Sequence, residues 1–239
     1  MEQVAFFPLG DSGIVIKLGD AIDQATQQKV KALADYFEEH PLPGMVEYVP
    51  GYTSVTVYYD PVAWYDPRAA DMPYERFKAL LAGQLVHIRA DEQTKPRLVE
   101  IPVCYGGAFG PDLLDVAAYH GITPDELIRI HSGQEYLVHM IGFAPGFPYL
   151  GGLDKRIATP RRQSPRTAIA PGSVGIGGEQ TGVYPIESPG GWQIIGRTPE
   201  RLFRPEEQPP SLLRAGDRVR FCPISEEQYG KWGQIGPWP

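Results

Sequence analysis

Between residues 142 and 191 the chain carries 11 glycines and 7 prolines in 50 positions, and no other feature restricts its fold as strongly. Proline removes a backbone donor and glycine raises the entropic cost of order, so no long helix crosses this stretch. The glycines and prolines recur at no fixed period, which excludes a collagen-like strand and a solenoid of repeats. What remains is a set of short β-type runs broken by turns. With Ile194-Ile195 and residues 217–221 as further short runs, the half after about residue 100 is expected to be a compact β-barrel decorated with long loops. Two helices precede it. Gly110-Pro111-Asp112 introduces one over residues 113–120, stopped by Gly121. Thr123-Pro124-Asp125-Glu126 reads as a capping box for a second, which ends near His131-Ser132.

The first half has a different texture. Residues 13–18 form a β-branched run ended by Gly19, and residues 22–38 follow with Val30, Leu33, Ala34 and Phe37 at helical spacing. Residues 45–49 and 54–59 are strand-like and joined across Pro50-Gly51-Tyr52, short enough for a hairpin. A helix over residues 73–85 is expected to bury Tyr74, Phe77, Leu80, Leu81 and Leu85. Taking residues 98–103 as a closing strand, the order is β-α-β-β-α-β, the split βαβ pattern of a ferredoxin-like sandwich. Residues 91–96, Asp-Glu-Gln-Thr-Lys-Pro, read as a polar linker. The expected division is therefore a ferredoxin-like α+β domain over residues 1–92 and a mainly β barrel domain over residues 97–239.

The formal net charge is −7 and the pI about 5.3, a field that opposes nucleic acid and anionic membranes as partners. No apolar run reaches the length of a membrane span, and the N-terminal residues lack a signal-peptide pattern, so a cytoplasmic location is expected. Cys104 and Cys222 stand alone, outside any CxxC pair. The histidines, at 40, 87, 120, 131 and 139, show neither HxH nor HExxH spacing, so no metal site is expected. Ser173 and Ser188 lie in Pro-Gly-Ser and Ser-Pro-Gly-Gly turns, not in a GxSxG elbow.

Against this acidic background, residues 141–198 hold Lys155, Arg156, Arg161, Arg162, Arg166 and Arg197 with only Asp154, Glu179 and Glu187 as acids, a local excess of +3. Arg161 and Arg166 flank the prolines of Pro160-Arg161-Arg162-Gln163-Ser164-Pro165-Arg166, which restrict the backbone as a bidentate guanidinium fork requires. Pairing with surface acids explains them equally well. The run from Gly172 through Gly175 and Gly177 to Gly178 fails the dinucleotide fingerprint, because Gln180 stands where the third glycine belongs, and no Walker A string exists. The same glycines still offer a backbone amide nest for an anion. His131 sits at an expected helix C-terminus, where the macrodipole favours a protonated ring, and either catalytic proton transfer or a structural role fits it. Phe143, Phe147, Tyr149, Tyr184 and Trp192 interleave with prolines in the same loops, as pocket lining, as partner anchors or as barrel core.

Longer strings in these loops are recognisable as well. The sequence Gly-Phe-Ala-Pro-Gly-Phe-Pro-Tyr-Leu-Gly-Gly-Leu at residues 142–153, the Pro-Arg-Arg to Pro-Arg run at 160–166, residues 170–185 and residues 188–198 resemble, in order and spacing, the family that holds the B-type 5-oxoprolinase subunit (PxpB), KipI and allophanate hydrolase subunit 1. Residues 101–107 and 216–221 agree too, so the resemblance covers nearly the whole chain. It implies a ferredoxin-like N-terminal domain and a cyclophilin-like barrel. It further implies a subunit that opens 5-oxoproline to L-glutamate with ATP, and Mg, bound at the level of a complex and no cofactor held tightly by this chain alone. The partners it implies are a larger homologous C-type subunit (PxpC/KipA-like) together with a separate A-type subunit. The alternative within the same family is an inhibitor of histidine kinase autophosphorylation, or a urea carboxylase-related subunit. On this footing the expected catalytic group is His131. The expected anion-binding groups are Arg161, Arg166, Gly175, Gly177, Gln180 and Tyr184, and the expected partner contacts are Phe143, Phe147 and Trp192.

Overall fold

The computed structural model describes residues 4–85 and 96–232, and the chain divides into two compact units, Met1–Lys95 and Pro96–Pro239. In the first, the strands β1 (Ala5–Leu9), β2 (Gly13–Lys17), β3 (Met45–Pro50) and β4 (Ser54–Tyr59) make an antiparallel sheet in the order β1-β2-β4-β3. Helices α1 (Gln24–Glu39), α2 (Pro61–Trp64) and α3 (Pro73–Leu85) complete the unit. Strands β2 and β4 alternate, so Ile14, Ile16, Val55, Val57 and Tyr59 all point to one face. There they meet Val30, Leu33 and Phe37 of α1 and Phe77, Leu81 and Leu85 of α3 in one core, while Tyr74 and Leu80 pack at its margin. The carboxylate of Asp23 starts α1 by accepting from the Thr26 backbone N–H at 2.8 Å.

The closing strand expected at residues 98–103 is not part of this sheet. The edge beside β2 is filled by β1, which forms a hairpin with it and sets Phe6 opposite Ile16. Residues 101–104 are buried without alternation, which suits a strand covered on both faces better than the edge of a half-solvated sheet. They belong to β5 (Leu98–Tyr105) of the second unit. Of the expected linker, residues 91–95 lie outside the described residues.

In the second unit, β5 is followed by α4 (Leu113–His120), α5 (Pro124–Ser132), β6 (Glu135–Ile141), β7 (Pro148–Gly151) and a 3-10 turn (Lys155–Ile157). Then come β8 (Arg166–Ile169), β9 (Ser173–Gly177), β10 (Gln180–Val183), β11 (Ser188–Gly190), β12 (Gln193–Arg197), β13 (Arg218–Pro223) and α6 (Glu226–Gly230). Seven strands close a barrel in the order β10-β7-β6-β13-β5-β12-β9, and β8 with β11 forms a separate two-stranded ribbon. Only β13 and β5 run parallel; the other barrel pairs are antiparallel. Ile101, Val103, Tyr136, Val138, Val174, Ile176, Val183, Ile195, Val219 and Phe221 fill the interior. Thr123 Oγ1 caps α5 through the Glu126 backbone N–H at 3.1 Å, whereas the Glu126 carboxylate turns to Arg129, so half of the expected capping box forms.

Candidate functional site

The loop between β6 and β7 is built from two successive tight turns. The Phe147 backbone N–H donates to the Ala144 carbonyl at 3.0 Å, with Pro145 and Gly146 (φ 77°) at the corner, the residue pattern of a type II turn. Immediately before it, the Ala144 N–H donates to the Gly142 carbonyl at 2.7 Å around Phe143, whose φ is 66°. Phe143 is the one non-glycine residue of positive φ among the described residues, a strained placement for a side chain with a Cβ. At this turn its ring is 69% exposed.

Behind Phe143 the other aromatics turn inward. Phe147 makes edge-on contacts with Phe143 (5.4 Å), Tyr149 (5.2 Å), Tyr184 (5.9 Å) and Trp192 (5.9 Å), and with Ile169 and Ile194 they form a core of their own. Glycines make room for it. A Cβ on Gly177 would lie 2.5 Å from the Trp192 indole, and one on Gly182 would meet both Trp192 and Phe147. Gly175 and Gly177 therefore do not form the expected amide nest. Both are extended, buried residues of β9, paired with Gly182 and Gln180 across the ladder, and their missing side chains seat a tryptophan. Of the expected partner contacts, Phe143 alone is on the surface; Phe147 and Trp192 are buried.

The arginines divide in a similar way. The Arg166 guanidinium grips Asp112 with both forks, Nη1 to Oδ2 at 2.8 Å and Nη2 to Oδ1 at 2.7 Å. Arg162 Nη1 adds a third bond at 3.0 Å, and the Ile194 backbone N–H donates to the same carboxylate at 2.6 Å. Asp112 itself is almost wholly buried, and its carboxylate does not cap α4. The hydrogen bonds to Asp112 hold the Arg166 guanidinium above its usual range. The geometry is the bidentate one that the sequence led us to expect, but the acid is internal, and it ties the start of α4 and β12 to the arginine loop. Arg161 is different. It is exposed and enters no ion pair among the described residues. It lines a cleft of about 250 Å³ with Asp115, Val116, Tyr119, Thr159, Pro160, Arg162, Gln163 and Gln193. Tyr184 is buried beneath, and burial raises its hydroxyl pKa against the opposing effects of the Trp192 backbone and Arg161. Gln180 lies on β10 beside Gly177.

His131 lies in the barrel core with no exposed surface. Thr181 Oγ1 gives its proton to the Gly175 carbonyl (3.0 Å), so it accepts from His131 Nε2–H at 2.9 Å. Nδ1 then accepts from the Tyr105 hydroxyl at 2.8 Å. The ring stacks on Phe221 at 4.7 Å. Burial lowers its pKa to about 3, a shift of several kcal/mol that outweighs the roughly 0.3–1 kcal/mol by which a helix C-terminus favours the cation. A neutral ring with both nitrogens bonded inside the protein orients α5 against β10; it has no solvent route for proton transfer. Asp112, Tyr105 and Thr181 escaped the sequence reading. Apart from the Gly175 carbonyl six residues from Thr181, their partners lie 26 to 82 residues away; Asp112 stood at a helix start and Tyr105 and Thr181 inside the strings that carry the resemblance, but nothing local marked those side chains.

The comparisons with known proteins agree with the strings that carry the resemblance. The family model described as carboxyltransferase domain, subdomain C and D, matches residues 4–213. The chain is 53% identical over 223 residues to the B-type 5-oxoprolinase subunit of Bacillus subtilis (strain 168), covering 92% of this chain and 93% of that protein. It is 40% identical over 229 residues to the B-type 5-oxoprolinase subunit of Escherichia coli O157:H7, covering 95% and 99%. Among solved structures, TTHA0988 matches with a TM-score of 0.76 at 31% identity, over 95% of this chain and 41% of that one, so this chain spans less than half of that protein's length. The chain belongs to the carboxyltransferase subdomain C and D family, among the B-type 5-oxoprolinase subunits.

Proposed function

We propose that this chain is the B-type subunit of an ATP-dependent 5-oxoprolinase that is inactive alone and, with its C-type and A-type subunits, opens 5-oxoproline to L-glutamate in the cytoplasm. The observation that carries the reading is the identity shared with two B-type 5-oxoprolinase subunits over nearly the whole of both chains. In the finer description, the first unit is a variant of the ferredoxin-like sandwich over residues 1–92, with β1 in the place of the closing strand, and the second is a cyclophilin-like barrel over residues 97–239.

The chemistry supports a shared site. A lactam is opened once its oxygen is made a leaving group, which needs cationic and N–H donors around a developing oxyanion. Among the described residues this chain offers an exposed guanidinium at Arg161, while His131, the expected catalytic group, is sealed and Arg166 is spent on Asp112. Nor do the residues fit ATP: the glycine run lies in the barrel ladder, and two of the three loop arginines are bound internally. The nucleotide and its Mg are therefore assigned to the rest of the complex. Phe143, exposed at a strained turn above a rigid aromatic core, is the contact we assign to the C-type subunit. Expressed with its C-type and A-type subunits, the chain should support ATP- and 5-oxoproline-dependent release of glutamate. Turnover by this chain alone would overturn the shared site, and no turnover in any combination would overturn the function.

A further inference from the structure

The cleft beside Arg161 has two walls of different origin. One is helix α4, where Asp115 and Tyr119 stand one turn apart on the same face and Val116 forms the floor between them. The other is the loop segment from Pro160 to Gln163. It is fixed at three points: Arg162 N–H to the Gly191 carbonyl (2.7 Å), Gln193 Nε2 to the Pro160 carbonyl (3.0 Å), and Arg162 Nη1 to Asp112. Such a wall keeps its shape without a ligand, which lowers the ordering cost of binding. Groups of opposite sign line this space. Asp115 on the helix and Arg161 on the segment both open into it, and neither enters an ion pair among the described residues. Tyr119 adds an exposed aromatic surface beside them.

We infer that this cleft is a site for a zwitterionic α-amino acid, with its carboxylate on the Arg161 guanidinium and its ammonium on the Asp115 carboxylate. A guanidinium pairs with a carboxylate through parallel N–H bonds, and a carboxylate accepts the several donors of an ammonium. Tyr119 and the Pro160 ring then enclose the side chain. The volume of about 250 Å³ suits a single amino acid, and an anion alone would leave Asp115 as a repelling neighbour. The inference rests on the reading of Arg161 as an anion contact in the proposed function. L-Glutamate, the product of that reaction, is the natural probe.

Isothermal titration of the full chain with L-glutamate, N-acetyl-L-glutamate and 5-oxoproline tests the assignment. Saturable binding of L-glutamate is expected, weakened about tenfold or more by Asp115→Asn and by Arg161→Gln, as loss of a charge-assisted bond implies. N-acetyl-L-glutamate, which lacks the ammonium, should bind the parent chain more weakly and gain affinity, not lose it, on Asp115→Asn, because the repelling carboxylate is gone. Both substituted residues are on the surface, so unchanged melting temperatures verify that the variants fold. Absence of glutamate binding, or binding that both variants leave unchanged, overturns the proposal. Binding of 5-oxoproline that needs Arg161 but not Asp115, with none of glutamate, overturns the zwitterion while leaving Arg161 as an anion contact.

Discussion

Replacing Asp112 by asparagine removes one charge and little volume, yet the structure makes it among the most damaging exchanges available in the barrel unit. The carboxylate accepts three guanidinium N–H bonds and one backbone N–H, all between 2.6 and 3.0 Å. An asparagine turns an NH2 group toward at least one of those donors and leaves two guanidinium charges unpaired beside a site that is almost wholly buried. Breaking a buried pair in this way costs about 3–5 kcal/mol. Arg162 and Arg166 are about a third exposed and regain some hydration, which places the expectation near the lower end of that range. At roughly 2–4 °C per kcal/mol for a chain of this size, the melting temperature falls by about 10 °C. Calorimetry or near-UV circular dichroism reads it directly. Arg166→Lys keeps the charge but loses the fork, and should lose about 1–2 kcal/mol, the worth of one charge-assisted bond discounted for exposure. A double-mutant cycle between the two positions should return a coupling of about 1–3 kcal/mol. If Asp112→Asn melts with the parent protein, Asp112 does not anchor Arg166, and the arginine is free for an external anion as its sequence setting first suggested.

Three further outcomes rest on single side chains. His131 is neutral in the folded chain with a pKa near 3 and ordinary when unfolded, so its stabilisation is complete above about pH 6.5 and is lost as pH falls toward 3. The loss approaches 1.4 kcal/mol per pH unit inside that window; urea melts should show the slope in the parent and a clear reduction in His131→Gln, and equal slopes would contradict the buried ring. Gly177→Ala drives a methyl into the Trp192 indole and should cost about 1–3 kcal/mol with a shift in tryptophan emission, whereas unaltered melting and emission would argue against that packing. Phe143→Gly relieves a positive φ and should raise stability by up to about 1 kcal/mol while weakening the complex with the C-type subunit; a variant that loses stability and keeps its partner refutes both halves of the argument.

What the sequence made legible was local. The helical spacing of Val30, Leu33 and Phe37, the Thr123-Pro124 start of α5 and the glycine and proline texture of the barrel loops all depend on residues within a few positions of one another. Strand β1 is hard to read from sequence because Pro8 interrupts the run, although an edge strand tolerates a proline. By sequence alone β5 fits the closing strand of the first sheet equally well, because a parallel partner 120 residues away, β13, leaves no trace in its own pattern beyond unbroken burial. Site residues divided along the same line. Their membership in one region was legible, since the basic and aromatic loops do converge. Their individual states were not, because burial and long-range partners decide them: desolvation overrides the helix dipole at His131, and Asp112 claims the fork of Arg166.

The central claim is that this chain completes a 5-oxoprolinase, and it is tested most directly by titrating it into a fixed amount of its C-type and A-type subunits with ATP and 5-oxoproline present. Initial rates of glutamate release should rise from background and level off once each C-type subunit has met one copy of the chain. A rate that is already full without the chain, or that never rises when it is added, contradicts the account.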